Sequence, residues 1–189
     1  MDQDRIEKSI SNILEAIGED PQREGLEKTP KRVAKMYQEI FLGVNKEPSE
    51  ALDVFVEDEA NDLVLVRDIT FYSLCEHHLI PFFGKVHLAY KPQGGRVTGF
   101  SKLTKLVETV AKRPQLQERM TKIIADTMME ILEPQGVYVI VEAQQLCMTM
   151  RGVEQTETET ITSASRGIFK EDSGAKNEVI NLIYRGRTR

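Results

Sequence analysis

The chain has only two cysteines and three histidines, and Cys75, His77 and His78 lie within one run of four residues, Cys75-Glu76-His77-His78. Cys75 and His78 stand three residues apart, a spacing at which a turn aims both side chains at one ion. His77 then points elsewhere and is available for acid/base work, because an imidazole titrates near neutral pH. Two ligands do not make a site, and the competing reading of this segment is a surface loop holding two histidines. A third ligand is needed, and the only other cysteine is Cys147. Cys147 falls in a stretch that reads as a strand, where alternation puts Gln145, Cys147, Thr149 and Arg151 on one face. Leu146, Met148 and Met150 share the other face, as ordinary core. A lone cysteine is commonly a small buried hydrophobe. A thiol, an amide and a guanidinium in one row instead call for polar partners. Cys75, His78 and Cys147 together would make a Cys2His zinc site with its fourth position open to water, the catalytic pattern.

The elements that must position these residues fall into two stretches, a helical segment over 1–60 and a mixed domain over 61–189. Ile6, Ile10, Ile13, Leu14 and Ile17 recur at helical spacing up to Gly18. Thr29-Pro30 opens a second helix, whose buried stripe is Val33, Met36, Tyr37, Ile40 and Phe41. Past an acidic connector, Glu57 to Asp62, the period changes. Leu63 to Phe71 reads as a strand, and Val86, Leu88 and Tyr90 alternate with Lys85, His87 and Ala89 in another. That alternation predicts an exposed face for His87. Helices follow at Leu103 to Val110 and Leu116 to Ile131, then strands at Val137 to Ala143, Leu146 to Arg151 and Glu159 to Ala164. A short helix around Val179 to Tyr184 and a basic tail, Arg185 to Arg189, close the chain. Strands adjacent in sequence favour an antiparallel sheet with the helix pair packed on one face, an α+β fold.

Composition narrows the functions available. With 25 Lys+Arg against 30 Asp+Glu, the net charge is -5, which argues against a general nucleic-acid binder. Any phosphate site must be a local cluster working against the global field. Two cysteines cannot form a disulfide framework for 189 residues. The N-terminus lacks a signal-peptide core, and no stretch approaches the ~18 apolar residues of a membrane span. The expectation is a cytoplasmic protein with reduced thiols and no membrane partner.

Five segments together resemble the GTP cyclohydrolase I family. They are Thr29 to Tyr37, Cys75 to His78, Gly99 to Leu103, Arg113 to Arg119 and Leu146 to Gly152. The resemblance implies the tunnelling fold, in which sheets from several subunits close into a barrel within a homodecamer whose active sites lie between subunits. It implies GTP as substrate, with Cys75, His78 and Cys147 as ligands of Zn²⁺ and His77 as the catalytic histidine. Glu76 supports that group. Glu118, with Gln117 beside it, matches the guanine-reading position. Ser101, Lys102 and Arg151 match phosphate contacts, and Lys35 matches one reaching across from a neighbouring subunit. Lys105 stands where the family often has arginine, keeping charge but losing the bidentate fork.

One position departs from the pattern. Two residues before the second zinc cysteine the family normally carries a histidine, and here Gln145 stands there. An amide donates and accepts hydrogen bonds but does not shuttle protons near neutral pH. By strand alternation Gln145 should line the site with Cys147. Beside the full conversion of GTP to 7,8-dihydroneopterin triphosphate and formate, Gln145 therefore raises an alternative. The chain would then be an impaired homologue that stalls at a formamidopyrimidine or only binds GTP.

Overall fold

The computed structural model describes residues 1–186; the last three residues of the basic tail lie outside the described residues. The chain divides into two compact units, Met1–Leu42 and Gly43–Arg189. In the first, helix α1 (Gln3–Ala16) packs against α2 (Thr29–Ile40). Asp2 caps α1 by accepting from the Arg5 amide at 3.0 Å, and Gly18 takes a left-handed φ of 89° just past its end.

The second unit is built on a five-stranded sheet, ordered β5-β2-β3-β6-β7. Its strands are β2 (Val64–Cys75), β3 (Pro81–Lys91), β5 (Pro114–Gln115), β6 (Gly136–Gln145) and β7 (Thr160–Gly167). The β2–β3–β6–β7 run is antiparallel, and only the two-residue β5 joins β2 in parallel. A separate ribbon pairs β1 (Phe55–Val56) with β4 (Arg96–Val97). Helices α3 (Phe100–Ala111) and α4 (Gln117–Leu132) cover one face of the main sheet. This is the α+β arrangement expected, of the tunnelling-fold type, with β5, the β1–β4 ribbon and a 3-10 turn at Pro48–Ala51 as additions. Those pieces are too short to leave a period in the sequence.

The core between sheet and helices takes alternate residues of each strand: Val86, Leu88 and Tyr90 from β3, and Val137, Val139 and Val141 from β6. Leu103, Leu106, Val110, Met120, Ile124 and Met128 meet them from the helices. Strands β3 and β6 approach closely at Gly84, where a Cβ would fall 1.9 Å from the Glu142 carbonyl oxygen. Any side chain there would push the two strands apart.

The opposite face is where the sequence expectation for His87 fails. The short helix α6 (Ile168–Glu171) and α7 (Ser173–Tyr184) close over it, burying Ala89, Tyr138, Ile140, Phe169, Val179 and Ile183 in a second core. His87 is therefore 1% exposed rather than at a solvated surface. Its Nδ1 accepts from the Asp68 amide at 3.1 Å, and its Nε2 lies 3.5 Å from Glu142. The Tyr184 hydroxyl, at the end of α7, donates to the other oxygen of Glu142. Asp68 reaches His87 because β2 carries a bulge between Val66 and Ile69, with Asp68 at a φ of 64°.

Candidate active site

Cys75 is the last residue of β2, and the backbone turns at once. The Leu79 amide donates to the Cys75 carbonyl at 2.8 Å, and the Cys75 amide donates to Ile80 at 3.0 Å, closing the hairpin into β3. The turn swings His78 back over the strand end that carries Cys75. The short β5 lies beside the same strand end, pairing Cys75 with Gln115, and the Glu76 amide donates to the Gln115 carbonyl at 3.0 Å. That contact brings the start of α4, and so Gln117, Glu118 and Arg119, alongside the Cys75 turn.

Cys147 arrives from the other side, and by different means than expected. The stretch after Gln145 is not a strand: β6 ends there, and Leu146–Thr149 forms a single helical turn, α5, with the Met150 amide donating to Leu146 at 3.0 Å. Met150, expected in the core, is 64% exposed as a result. The helical turn still delivers Cys147, because Gln145 pairs with Phe82 near the start of β3, next to the Cys75 turn.

Ligand atoms of Cys75, His78 and Cys147 lie within 4.8 Å of one another. Burial, and then the neighbouring Cys75, push the Cys147 thiol above its ordinary range. Two adjacent thiols resist ionising together, and a divalent cation between them removes that penalty. The Arg151 guanidinium lies 3.0 Å from His78 Nε2, and since arginine cannot accept, the imidazole nitrogen does. Two thiols and an imidazole, with Cys75 buried, Cys147 half-buried and His78 exposed, are the donor set and asymmetry of a zinc site with an accessible fourth position. His77 is exposed on the same turn, its ring 6.1 Å from that of His78 and nearly perpendicular to it.

Glu76 is held by Arg119 through both carboxylate oxygens, a pairing that spacing along the chain does not encode. The Arg119 hydrogen bond holds the Glu76 carboxyl below its usual range. Glu76 therefore braces the turn against α4 and is poorly suited to donate a proton. Glu118, one residue before Arg119, stands exposed in the first turn of α4, with no side-chain hydrogen bond or ion pair among the described residues. Gln117 is its opposite, 4% exposed, with its carboxamide engaged by Gln145, Thr160 and two backbone carbonyls.

The candidate phosphate residues are spread more widely. Ser101 is exposed and Lys102 half-buried in the first turn of α3, which starts after Gly99. Lys102 pairs with Asp53, a partner invisible in the motif. Lys105 is committed to Glu108 at 2.7 Å, and with Lys112 it lowers the Glu108 carboxyl to about 2. Arg151 is exposed beside the metal donors. Lys35 lies exposed on α2, in the first compact unit.

Fold and donor set thus define a tunnelling-type chain that carries a catalytic-pattern metal centre at one end of its sheet. The family model of GTP cyclohydrolase I matches residues 6–184. The chain is 57% identical to GTP cyclohydrolase 1 of Halalkalibacterium halodurans, over 97% of this chain and 97% of that protein. It is 56% identical to GTP cyclohydrolase 1 of Bacillus subtilis (98% and 97% covered) and 58% identical to that of Clostridioides difficile (97% and 97%). The chain belongs to the GTP cyclohydrolase I family.

Proposed function

We propose that this protein is a zinc-dependent enzyme converting GTP and water to 7,8-dihydroneopterin triphosphate and formate, the entry to tetrahydrofolate synthesis. The observation that carries the reading is the convergence of Cys75, His78 and Cys147 from a turn and a helical turn 72 residues apart in sequence (75 to 147) onto one point. A zinc ion held by these three supplies Lewis acidity toward water at the purine C8. His77, exposed on the same turn, moves protons through its imidazole nitrogens as the five-membered ring opens and formate leaves. Glu118 accepts hydrogen bonds from the guanine ring N–H and exocyclic amine, a pattern adenine does not offer. Ser101, Lys102, Arg151 and Lys35 bind the triphosphate, with Asp53 giving up Lys102 to it.

The impaired alternative raised by Gln145 is not supported. The full donor triad is assembled, and relatives at 56–58% identity over nearly their whole length are named GTP cyclohydrolase 1. Glutamine at this position is compatible with an ordered site, since its amide is held at 2.7 Å by Gln117.

The proposed assembly is a homo-oligomer, a decamer with active sites between subunits, in which Lys35 serves a neighbour's site. Two observations support it: β7 is an edge strand of the sheet, and Tyr72 and Ile161 stand 70% and 59% exposed on strands. A cytoplasmic setting suits two free thiols reserved for a metal. Among the described residues no helix is long and apolar enough to cross a membrane. The decisive experiment incubates zinc-loaded protein with GTP and measures formate and the fluorescent oxidised pterin. Absence of both products would sink the proposal.

A further inference from the structure

Gln117 occupies the first position of α4, whose N-cap residue, Leu116, offers no capping side chain. Its carboxamide anchors the helix start instead. Nε2 donates to the carbonyls of Val141 on β6 and Thr160 on β7, both at 3.0 Å. Oε1 accepts from Gln145 Nε2 at 2.7 Å and lies 2.8 Å from Thr160 Oγ1, whose single proton is shared between it and the Ala143 carbonyl at 3.0 Å. A carboxamide offers two N–H donors and two carbonyl lone pairs, and these four neighbours occupy every one of those directions, leaving none open toward a ligand. Behind it, Thr121 Oγ1 donates to the Gln117 carbonyl at 2.7 Å and meets Thr162 Oγ1 at 2.6 Å.

The polarity of this cluster is dictated by the backbone. Two main-chain carbonyls can be met only by a donor, so the Gln117 amide nitrogen must face Val141 and Thr160. Its oxygen must then face Gln145, and Gln145 in turn must present a donor. The chain of requirements runs from the sheet, through two side chains, to the residue that precedes the Cys147 turn. At its other end it fixes the turn of α4 on which Glu118 stands.

We infer that Gln117, Thr160 and Gln145 are positioning residues, a hydrogen-bond lock of fixed polarity that sets the Glu118 turn against the Cys147 turn, and that Gln117 contacts no substrate through its side chain. The inference deepens the proposed function and rests on it, since the two turns matter together only if one nucleotide spans both. It also gives position 145 a task that needs a donor and no titrating group.

The test compares the zinc-loaded protein with Gln117→Glu, Gln117→Met and Gln145→Met. Zinc content, thermal unfolding from pH 5 to 8, and kcat and KM for GTP are measured. Gln117→Glu keeps the shape but replaces the donor facing the two carbonyls, which only a protonated carboxyl can satisfy in part. Its midpoint should lie closest to that of the unaltered protein at pH 5 and fall about 5 °C behind by pH 8. At pH 8 its kcat/KM should drop ~30-fold, mostly through KM, with zinc content unchanged. Gln117→Met should show a similar loss without the pH trend, and Gln145→Met a smaller loss of the same kind. A Gln117→Glu protein that matches the unaltered one at every pH would overturn the lock. A fall in kcat at constant KM for Gln117→Met would overturn positioning in favour of direct contact with the reacting atoms. If the unaltered protein fails to turn over GTP, the proposed function falls, while the unfolding measurements still decide the lock.

Discussion

Glu118→Gln separates recognition from stability more cleanly than any other change in the site. Glu118 is exposed in the first turn of α4, so its removal opens no cavity and strands no buried partner. The stability cost is limited to the lost interaction of a carboxylate with the helix N-terminus, about 0.3–1 kcal/mol. The effect on catalysis is far larger. The carboxylate is proposed to accept from two N–H groups of guanine, and each hydrogen bond to a charged group contributes about 1.5–3 kcal/mol. An amide in its place accepts one and opposes the other with its own N–H. The one bond lost, together with the opposed N–H in its place, costs about 3–4 kcal/mol, a fall in kcat/KM of about 10²–10³-fold. The assay is pterin fluorescence after oxidation, with formate measured in parallel and urea unfolding as the control. A variant that keeps kcat/KM within about tenfold, at unchanged stability, would refute the guanine-reading role.

Further outcomes follow from neighbouring residues. Cys147→Ser should lower zinc from one per chain to a small fraction and cut formate release at least ~100-fold while leaving the far-ultraviolet spectrum intact; full zinc retention would remove Cys147 from the ligand set. His87→Leu should destabilise the fold by about 2–4 kcal/mol in urea unfolding, because Glu142 loses the imidazole partner beside its buried carboxylate. A cost below ~0.5 kcal/mol would show that the His87–Glu142 contact does not matter. Glu108 titrates at about 2 in the fold against an ordinary 4.5, through Lys105 first and Lys112 second. Its contribution is present above pH 4.5 and is lost as pH falls toward 2. Because these side chains are substantially solvent-exposed, that contribution is held to about 0.5–1 kcal/mol. Glu108→Gln should therefore cost that much at pH 7 and almost nothing at pH 2, and an equal cost at both would contradict the pairing.

The sheet and its helices were legible wherever one face met one core. Val86, Leu88 and Tyr90 alternate inward as read, and the α3 and α4 stripes pack where their period puts them. His87 shows where that logic stops. Alternation says only that a residue faces away from the first core, not that solvent lies on the other side. Here α7, a late and short helix, supplies a second cover, and His87 is buried with Glu142 and Tyr184. The partners of the site residues were illegible for a similar reason. Asp53 on Lys102 and Arg119 on Glu76 depend on how loops return, and spacing along one segment does not encode that.

The Cys147 segment is more instructive, because a wrong period led to a partly right grouping. Cys147 and Arg151 are four residues apart, which is an even step on a strand and about one turn on a helix. Both readings place them on one side, and Arg151 does reach His78, which with Cys147 forms the donor cluster. Gln145 and Cys147 are two apart, which is the same face on a strand but about 200° around a helix. The two readings part company there. The helical turn gives Cys147 to the metal donors and leaves Gln145, still in strand pairing with Phe82, to the Gln117 amide. The residue that looked like a missing proton shuttle is thus a donor in a lock, and its consequence for turnover should be read in KM before it is read in the pH dependence of kcat.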